Sequence, residues 1–133
     1  VTLLKSRDQW FNEGQPVMRH FRDFENKSTK DNYCLFIAPI LHRDTVNTFW
    51  MSVKYEYEGF KQKIIPFTIS QYNSILSIVL ELNNKNYRIK HTDIKKLLDN
   101  LYSKSTISLN CDEWLSQFDN IINNWKTELI SVI

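Results

Sequence analysis

One unbroken apolar run, residues 33–38 (YCLFIA), most constrains the fold of this chain. Apolar residues without alternation, bounded by polar residues and by Pro39, are typical of a strand covered on both faces. We therefore expect this strand to be central in a sheet. A second short run, residues 63–68 (KIIPFT), predicts another strand, in which Pro66 favours an edge position or the strand end.

The chain begins with a third strand-like segment, residues 1–5 (VTLLK). Because side chains alternate across a strand, Thr2 and Leu4 are expected to share one face. We expect this segment and the 33–38 strand to be neighbouring parallel strands, with a helix over residues 16–26 crossing between them in the right-handed sense.

Helical spacing of apolar residues accounts for most of the remaining chain. Pro16 suits the first turn of the first helix, and the second is expected to end near Gly59. Polar residues that can cap the later helices are Asp44, Ser70, Thr92 and Asn110, the last with Glu113 in a capping-box arrangement. The side chains predicted to face inward are Val17, Met18, Phe21 and Phe24; Val46, Phe49, Trp50, Val53 and Tyr57; Tyr72, Ile75, Leu76, Val79 and Leu82; Ile94, Leu97, Leu98 and Leu101; and Trp114, Leu115, Phe118, Ile121, Ile122, Trp125 and Leu129.

This order of strands and helices predicts an α/β fold with a helical C-terminal part. The 133 residues suit one domain, and 42% hydrophobic and 24% charged residues are typical of a globular chain. No apolar run approaches the length of a membrane span, and the start resembles neither a signal nor a transit peptide, so we expect a cytoplasmic protein without a membrane partner. With only two glycines there is no glycine-rich phosphate loop, which argues against P-loop and dinucleotide-binding enzymes.

A few polar residues near the start of the chain could carry chemistry. Glu13 precedes the first helix, where a carboxylate can bind a hard metal ion or simply interact with the helix dipole. Basic side chains can contact DNA phosphates or face solvent, and the net charge of +2 does not decide between these readings. The basic candidates are Lys5, Arg7, Arg19 and His20.

Four segments of the sequence carry a resemblance to a known family: VTL, EGQPVMRHFRDF, YCLFIAP and IIPFTISQY. Together they resemble the cleavage domain of AlwI-type restriction endonucleases, which are PD-(D/E)XK nucleases and include type IIS enzymes, site-specific nicking enzymes and small cleavage subunits. The C-terminal segment DEWLSQFDNIINN also resembles the last helix of the small cleavage subunit.

The resemblance implies a position for each active-site residue. In the family, a strand glutamate is followed after one residue by threonine or serine, and a second glutamate follows thirteen positions after the first. Val1 and Thr2 match the residues after the strand glutamate, and Glu13 matches the second glutamate. The resemblance thus implies Thr2 and Glu13 as catalytic residues and Glu13 as a ligand of Mg²⁺.

The family's earlier aspartate and its strand glutamate would both lie upstream of Val1. The resemblance therefore implies that residues 1–133 are a single domain, the C-terminal portion of a cleavage domain truncated upstream of Val1, with part of the PD-(D/E)XK sheet and its flanking helices. The parent protein would cleave double-stranded DNA with Mg²⁺, and a second subunit or recognition domain would supply the target sequence. The 133-residue chain alone is expected to be inactive, since one carboxylate does not form a metal site. The alternative is a non-catalytic α/β module that binds DNA or protein and keeps the nuclease fold.

Overall fold

Two parallel strands, β1 (Cys34–Ala38) and β2 (Ile64–Thr68), form the sheet in a computed structural model that describes residues 1–133. They pair in register, from Cys34 opposite Ile64 to Ala38 opposite Thr68. Both predicted strands are confirmed, each starting one residue later than the sequence pattern. The expectation that β1 is central and covered on both faces is wrong, because the sheet has only two strands and Leu35 is exposed.

Pro66 occupies a position in β2 where a missing N–H costs no hydrogen bond. The N–H of Cys34 donates to the carbonyl oxygen of Lys63 at 2.9 Å, so the backbone of Lys63 faces β1. Backbone groups alternate in direction along a strand, and the nitrogen of Pro66 therefore points away from β1. This geometry agrees with the edge position that the proline predicts.

Residues 1–5 run beside β1 without forming a strand. The N–H of Thr2 donates to the carbonyl oxygen of Ile37 at 2.9 Å. Backbone alternation turns Ile37 away from β2, so this segment lies at the other edge of β1. The strand predicted over residues 1–5 is wrong, because one backbone hydrogen bond does not make a ladder. The predicted alternation holds, since Thr2 is buried and Leu4 half-buried while Val1 and Leu3 are exposed.

The first helix, α1 (Gln15–Lys27), has Pro16 in its first turn as predicted and buries Met18 and Phe21. A π-helical turn over Trp10–Gly14, which the sequence pattern did not predict, leads directly into it. Phe24 was predicted to face inward but is 57% exposed. The buried face of α1 runs from Phe21 to the half-buried Glu25. Phe24 lies beside this face and is exposed to solvent.

The second helix, α2 (Arg43–Lys54), buries Val46, Phe49, Trp50 and Val53 as predicted. Its cap is His42 and not Asp44, because the Nδ1 atom of His42 accepts a hydrogen bond from the Asp44 N–H at 3.2 Å. The helix ends at Lys54 and not near Gly59. Tyr57 therefore lies outside it, in a short turn where it exchanges backbone hydrogen bonds with Phe60.

Helices make up the rest of the chain: α3 (Ile69–Asn84), α4 (His91–Ile107), α5 (Cys111–Leu115) and α6 (Phe118–Ser131). Most of the predicted inward positions are buried, although Leu76 is 43% exposed. Trp114 and Trp125 are core residues, as predicted, and their indole N–H groups donate to the backbone carbonyls of Leu101 and Asp93.

The ends of these helices differ in part from the predicted ones. Asn110 caps α5 as predicted, accepting from the Glu113 N–H, and Glu113 in turn accepts from the Leu109 N–H. The continuous last helix that the spacing predicts is interrupted, so α5 and α6 are separate. Ser70 and Thr92 lie inside first turns and are not caps, since α3 begins at Ile69 and Lys90 is the cap residue of α4.

By its internal contacts the chain divides into two compact units, Val1–Ile69 and Ser70–Ile133. The first unit contains the sheet, the π-helical turn, α1 and α2, and the second contains most of α3 together with α4, α5 and α6. The expectation of a single domain stays a prediction. None of the helices combines the length and apolar character needed to cross a membrane.

Candidate active site in the first unit

Thr2 is held beside the sheet by its backbone and side chain. The residue is 6% exposed, and its N–H donates to Ile37 in β1. Its Oγ1 atom accepts a hydrogen bond from the Leu4 N–H at 3.2 Å. These two contacts hold the backbone of the N-terminal segment beside β1, and the catalytic role that the resemblance implies for Thr2 stays a prediction.

Glu13 lies in the π-helical turn, two residues before α1 begins. The residue is half-buried, and its carboxylate forms no hydrogen bond or ion pair with another residue of the chain. Turns of π-helix are rare and occur frequently at functional sites, where they displace a side chain relative to the regular helix. A half-buried carboxylate of this kind is available to a ligand.

Gly14, next to Glu13, allows the Trp10 ring to pack directly against the backbone of the π-helical turn. A Cβ atom built on Gly14 would lie 2.7 Å from the Trp10 ring and 3.4 Å from the Thr45 Cγ2 atom. The φ angle of Gly14 is −64°, which any residue adopts, so only the absence of a side chain is needed here. The glycine of the EG pair is thus explained by close packing against an indole ring.

Gln9 is the residue of this region that the sequence reasoning missed. It is fully buried, at 0% exposure, and its side chain joins Leu4 to the segment that follows β1. Its only sequence signal is a polar residue directly before an aromatic pair, which does not distinguish it from a loop residue.

The four predicted DNA-backbone residues, Lys5, Arg7, Arg19 and His20, are all exposed. The Arg7 guanidinium lies over the Phe11 ring, 5.7 Å from its centroid, a cation–π geometry that orients the charge. Arg22 behaves differently. Its guanidinium donates hydrogen bonds to the carboxylates of Glu58 and Asp23, and these bonds, that to Glu58 first, raise its pKa.

A shallow groove of about 290 Å³ adjoins the π-helical turn. It combines one oriented cation, an exposed aromatic ring and small polar side chains of α2, together with one carboxylate. The residues that line it are Arg7, Trp10, Phe11, Asp44, Asn47 and Thr48.

The described residues do not form a metal site on their own. Nowhere in residues 1–133 do three or more His, Cys, Asp or Glu side chains come together in an arrangement that could hold a metal ion. Mg²⁺ takes an octahedral set of oxygen ligands, and Glu13 supplies one carboxylate. The residues present therefore do not fit a complete Mg²⁺ site.

The geometry defines an α/β protein. Its candidate site lies beside one edge of a small parallel sheet. A sequence model of the AlwI restriction endonuclease family matches residues 1–75, more than half of the chain. The chain therefore belongs to the AlwI restriction endonuclease family, as the resemblance implied. The segment DEWLSQFDNIINN lies beyond the matched residues, and its likeness to a small-subunit helix stays a prediction.

Among solved structures, the chain is similar to the small subunit (R.BspD6I2) of the heterodimeric restriction endonuclease R.BspD6I, with a TM-score of 0.68 and 20% sequence identity. The similarity covers 92% of this chain and 59% of the subunit, so the chain spans less than two thirds of that protein. At this identity the likeness concerns the fold alone. A comparison with curated proteins gave no match.

Proposed function

We propose that this chain is the C-terminal portion of a PD-(D/E)XK cleavage domain whose parent protein hydrolyses DNA phosphodiester bonds as a type II restriction endonuclease. The observation that carries the proposal is the family match over residues 1–75, the part of the chain that contains both Thr2 and Glu13. The buried position of Thr2 beside β1 supports it, because the segment that would continue upstream of Val1 starts at the edge of the sheet.

Glu13 is proposed as one carboxylate of a Mg²⁺ site that residues outside this chain complete. Metal-ion catalysis of phosphodiester hydrolysis supplies an activated water and neutralises charge in the transition state. Glu13 would bind the ion directly or through a water. Thr2 would face the same cluster from the segment beside β1.

The exposed cations are proposed to contact DNA phosphates. Phosphate contacts position a protein on the duplex without reading its sequence, and exposed cationic side chains are suited to them. No described helix is assigned to base recognition, so a second subunit or recognition domain would choose the target. The proposed phosphate contacts are Lys5, Arg7, Arg19 and His20.

One observation favours a second candidate function. Because residues 1–133 contain no group of three metal-ligating side chains, the fold is also compatible with a non-catalytic module that binds DNA or protein. The two functions differ in whether the natural protein, with the residues that precede Val1, has divalent-metal-dependent nuclease activity.

Plasmid cleavage tests the proposal. The natural protein with its upstream residues and any partner subunit should cut or nick supercoiled plasmid with Mg²⁺ and lose this activity with EDTA. The 133-residue chain alone should leave the plasmid intact with Mg²⁺ or Mn²⁺. A natural protein that binds DNA but never cuts it, with either metal, would instead establish the non-catalytic module.

A further inference from the structure

The side chain of Gln9 uses both of its donors and its acceptor inside the first unit. Its Nε2 atom donates to the carbonyl oxygens of Leu4 and Ile40, each at 2.7 Å, and its Oε1 atom accepts from the His42 N–H at 2.8 Å. The residue is 0% exposed. Because all three hydrogen-bonding positions of this buried amide are occupied, displacing any of its partners would leave a buried polar group without a hydrogen bond. The amide therefore favours one arrangement of the backbone groups around it.

The three partners of Gln9 belong to different parts of the unit. Leu4 is in the N-terminal segment, two residues after Thr2, and its N–H already donates to the Thr2 side chain. Ile40 and His42 follow β1, and His42 caps α2. Gln9 itself is the cap residue that directly precedes the π-helical turn containing Glu13.

A second buried glutamine of the first unit makes only one side-chain hydrogen bond. Gln62 is 5% exposed and donates through Nε2 to the Met18 carbonyl at 2.8 Å, but its Oε1 atom has no hydrogen-bond partner. Gln62 lies two residues before β2, and its one side-chain hydrogen bond reaches α1 and neither the N-terminal segment nor the π-helical turn. Gln9 and Gln62 are therefore matched in residue type and burial but differ in what they connect.

We propose that Gln9 is a positioning residue: its side-chain amide fixes the segment that carries Thr2 and the π-helical turn that carries Glu13 against the chain that follows β1. A role of Gln9 in catalysis rests on the proposed function. Its role in holding these two segments in place, called the structural part below, follows from its hydrogen bonds and burial alone. Separate experiments test the structural part and the catalytic part.

Amide hydrogen exchange of the 133-residue chain tests the structural part. Gln9→Met keeps the volume of the side chain and removes all three hydrogen bonds, so the Thr2 and Leu4 amides should exchange at least about tenfold faster than in the parent. Gln62→Met, the matched control, should leave these two amides within about twofold of the parent. Equal acceleration by both variants, or none by Gln9→Met, would overturn the positioning role.

Gln9→Glu gives a second readout if Gln9→Met does not fold. The introduced carboxylate would face two carbonyl oxygens, whereas its protonated form can still donate to one of them. Burial disfavours the charged form, so protection of the Thr2 and Leu4 amides in Gln9→Glu, corrected for intrinsic exchange, should rise as the pH falls from about 7 to about 5. Protection that is equal to that of the parent at both pH values would overturn the proposal.

Cleavage by the natural protein tests the catalytic part. The Mg²⁺ concentration needed for half-maximal cleavage should rise about ten- to a hundredfold in Gln9→Met, as for partners that orient metal ligands, and stay within about twofold in Gln62→Met. If Gln9→Met exchanges faster but needs no more Mg²⁺ than the parent, Gln9 has no role in catalysis, although its role in holding the two segments is retained. A natural protein that never cleaves DNA would overturn the proposed function, while the exchange result would still decide the role of Gln9 in the fold.

Discussion

The backbone N–H of Thr2 donates to the carbonyl oxygen of Ile37 at 2.9 Å, on the side of β1 that faces away from β2. This bond places a buried threonine at the free edge of the sheet. The bond joins the N-terminal segment to β1, and Thr2 is the subject of the first of five predictions.

Thr2→Val should retain the fold and impair cleavage. The substitution keeps β-branching and volume but removes the hydroxyl that accepts from Leu4, which should cost about 0.5–1.5 kcal/mol in the free energy of unfolding. Thr2→Ser keeps the acceptor and is the control. If Thr2 contributes to the active site of the natural protein, Thr2→Val should cleave plasmid more slowly than Thr2→Ser under conditions where both are folded. Equal rates would leave Thr2 with a structural role only.

Glu13→Gln separates a metal ligand from a surface residue. The free energy of unfolding should change by no more than about 0.5 kcal/mol, since the Glu13 carboxylate has no partner in the chain. Cleavage by the natural protein should fall about ten- to a hundredfold, with DNA binding unchanged. Glu25→Gln, at another half-buried glutamate of the same unit, should cleave at the parental rate. Cleavage by Glu13→Gln at that rate would remove Glu13 from the active site.

Gly14→Ala should destabilise the first unit even though alanine is the better helix former. The new Cβ atom would lie 2.7 Å from the Trp10 ring, and overpacking of this kind costs about 1–3 kcal/mol, against a helix-propensity gain of about 1 kcal/mol. Gln15→Ala, at the next and exposed position, should change the free energy of unfolding by less than about 0.5 kcal/mol. Urea denaturation measures both, and a midpoint for Gly14→Ala at or above the parental value would contradict the packing argument.

Arg19→Ala should weaken DNA binding in a salt-dependent way. If the Arg19 guanidinium contacts a phosphate, its removal should reduce the slope of log K against log salt by about 0.9, with little dependence on DNA sequence. Lys27→Ala, another exposed cation in the last turn of α1, is the control and should leave the slope unchanged. Binding titrations at several salt concentrations give the slopes, and identical slopes for Arg19→Ala and the parent would exclude Arg19 from the interface.

Glu81 gives the second unit a pH-dependent contribution to stability. Its carboxylate lies 2.7 Å from the Lys126 ammonium and 3.2 Å from that of Lys85, and hydrogen bonds from Lys126 and then Lys85 lower its pKa. A lowered folded-state pKa stabilises the protein above the unfolded-state pKa, and the contribution disappears as the pH falls through the folded-state value.

The measurement compares Glu81→Gln with the parent by thermal denaturation. The difference in midpoint should be largest near pH 6 at low salt and should shrink both at about pH 3 and at about 1 M salt, because the pair is exposed and screened. Glu128→Gln, which loses an exposed ion pair with Lys96, gives a comparison at a second site of the unit. A Glu81→Gln difference that is the same at both pH values would contradict the assignment.

Local patterns of the sequence determined much of this fold. The unbroken apolar run predicted β1, Pro66 predicted an edge strand, helical spacing predicted α1 to α4, and Asn110 with Glu113 predicted the start of α5. Each of these signals acts within a few residues, through burial of one face, a missing N–H or a side chain that reaches a nearby backbone group. The family membership was also readable from short motifs around Thr2 and Glu13.

The features that depend on distant partners could be read only from the folded chain. Gln9 is buried because the carbonyl of Ile40 and the N–H of His42, more than thirty residues away, complete its hydrogen bonds. The π-helical turn closes where Gly14 packs on Trp10 and Thr45, and residues 1–5 stop short of a strand because a single backbone bond joins them to β1. From a few neighbouring residues, a polar side chain that faces solvent cannot be distinguished from one in a buried hydrogen-bond network. Its burial depends on partners that come from distant parts of the chain.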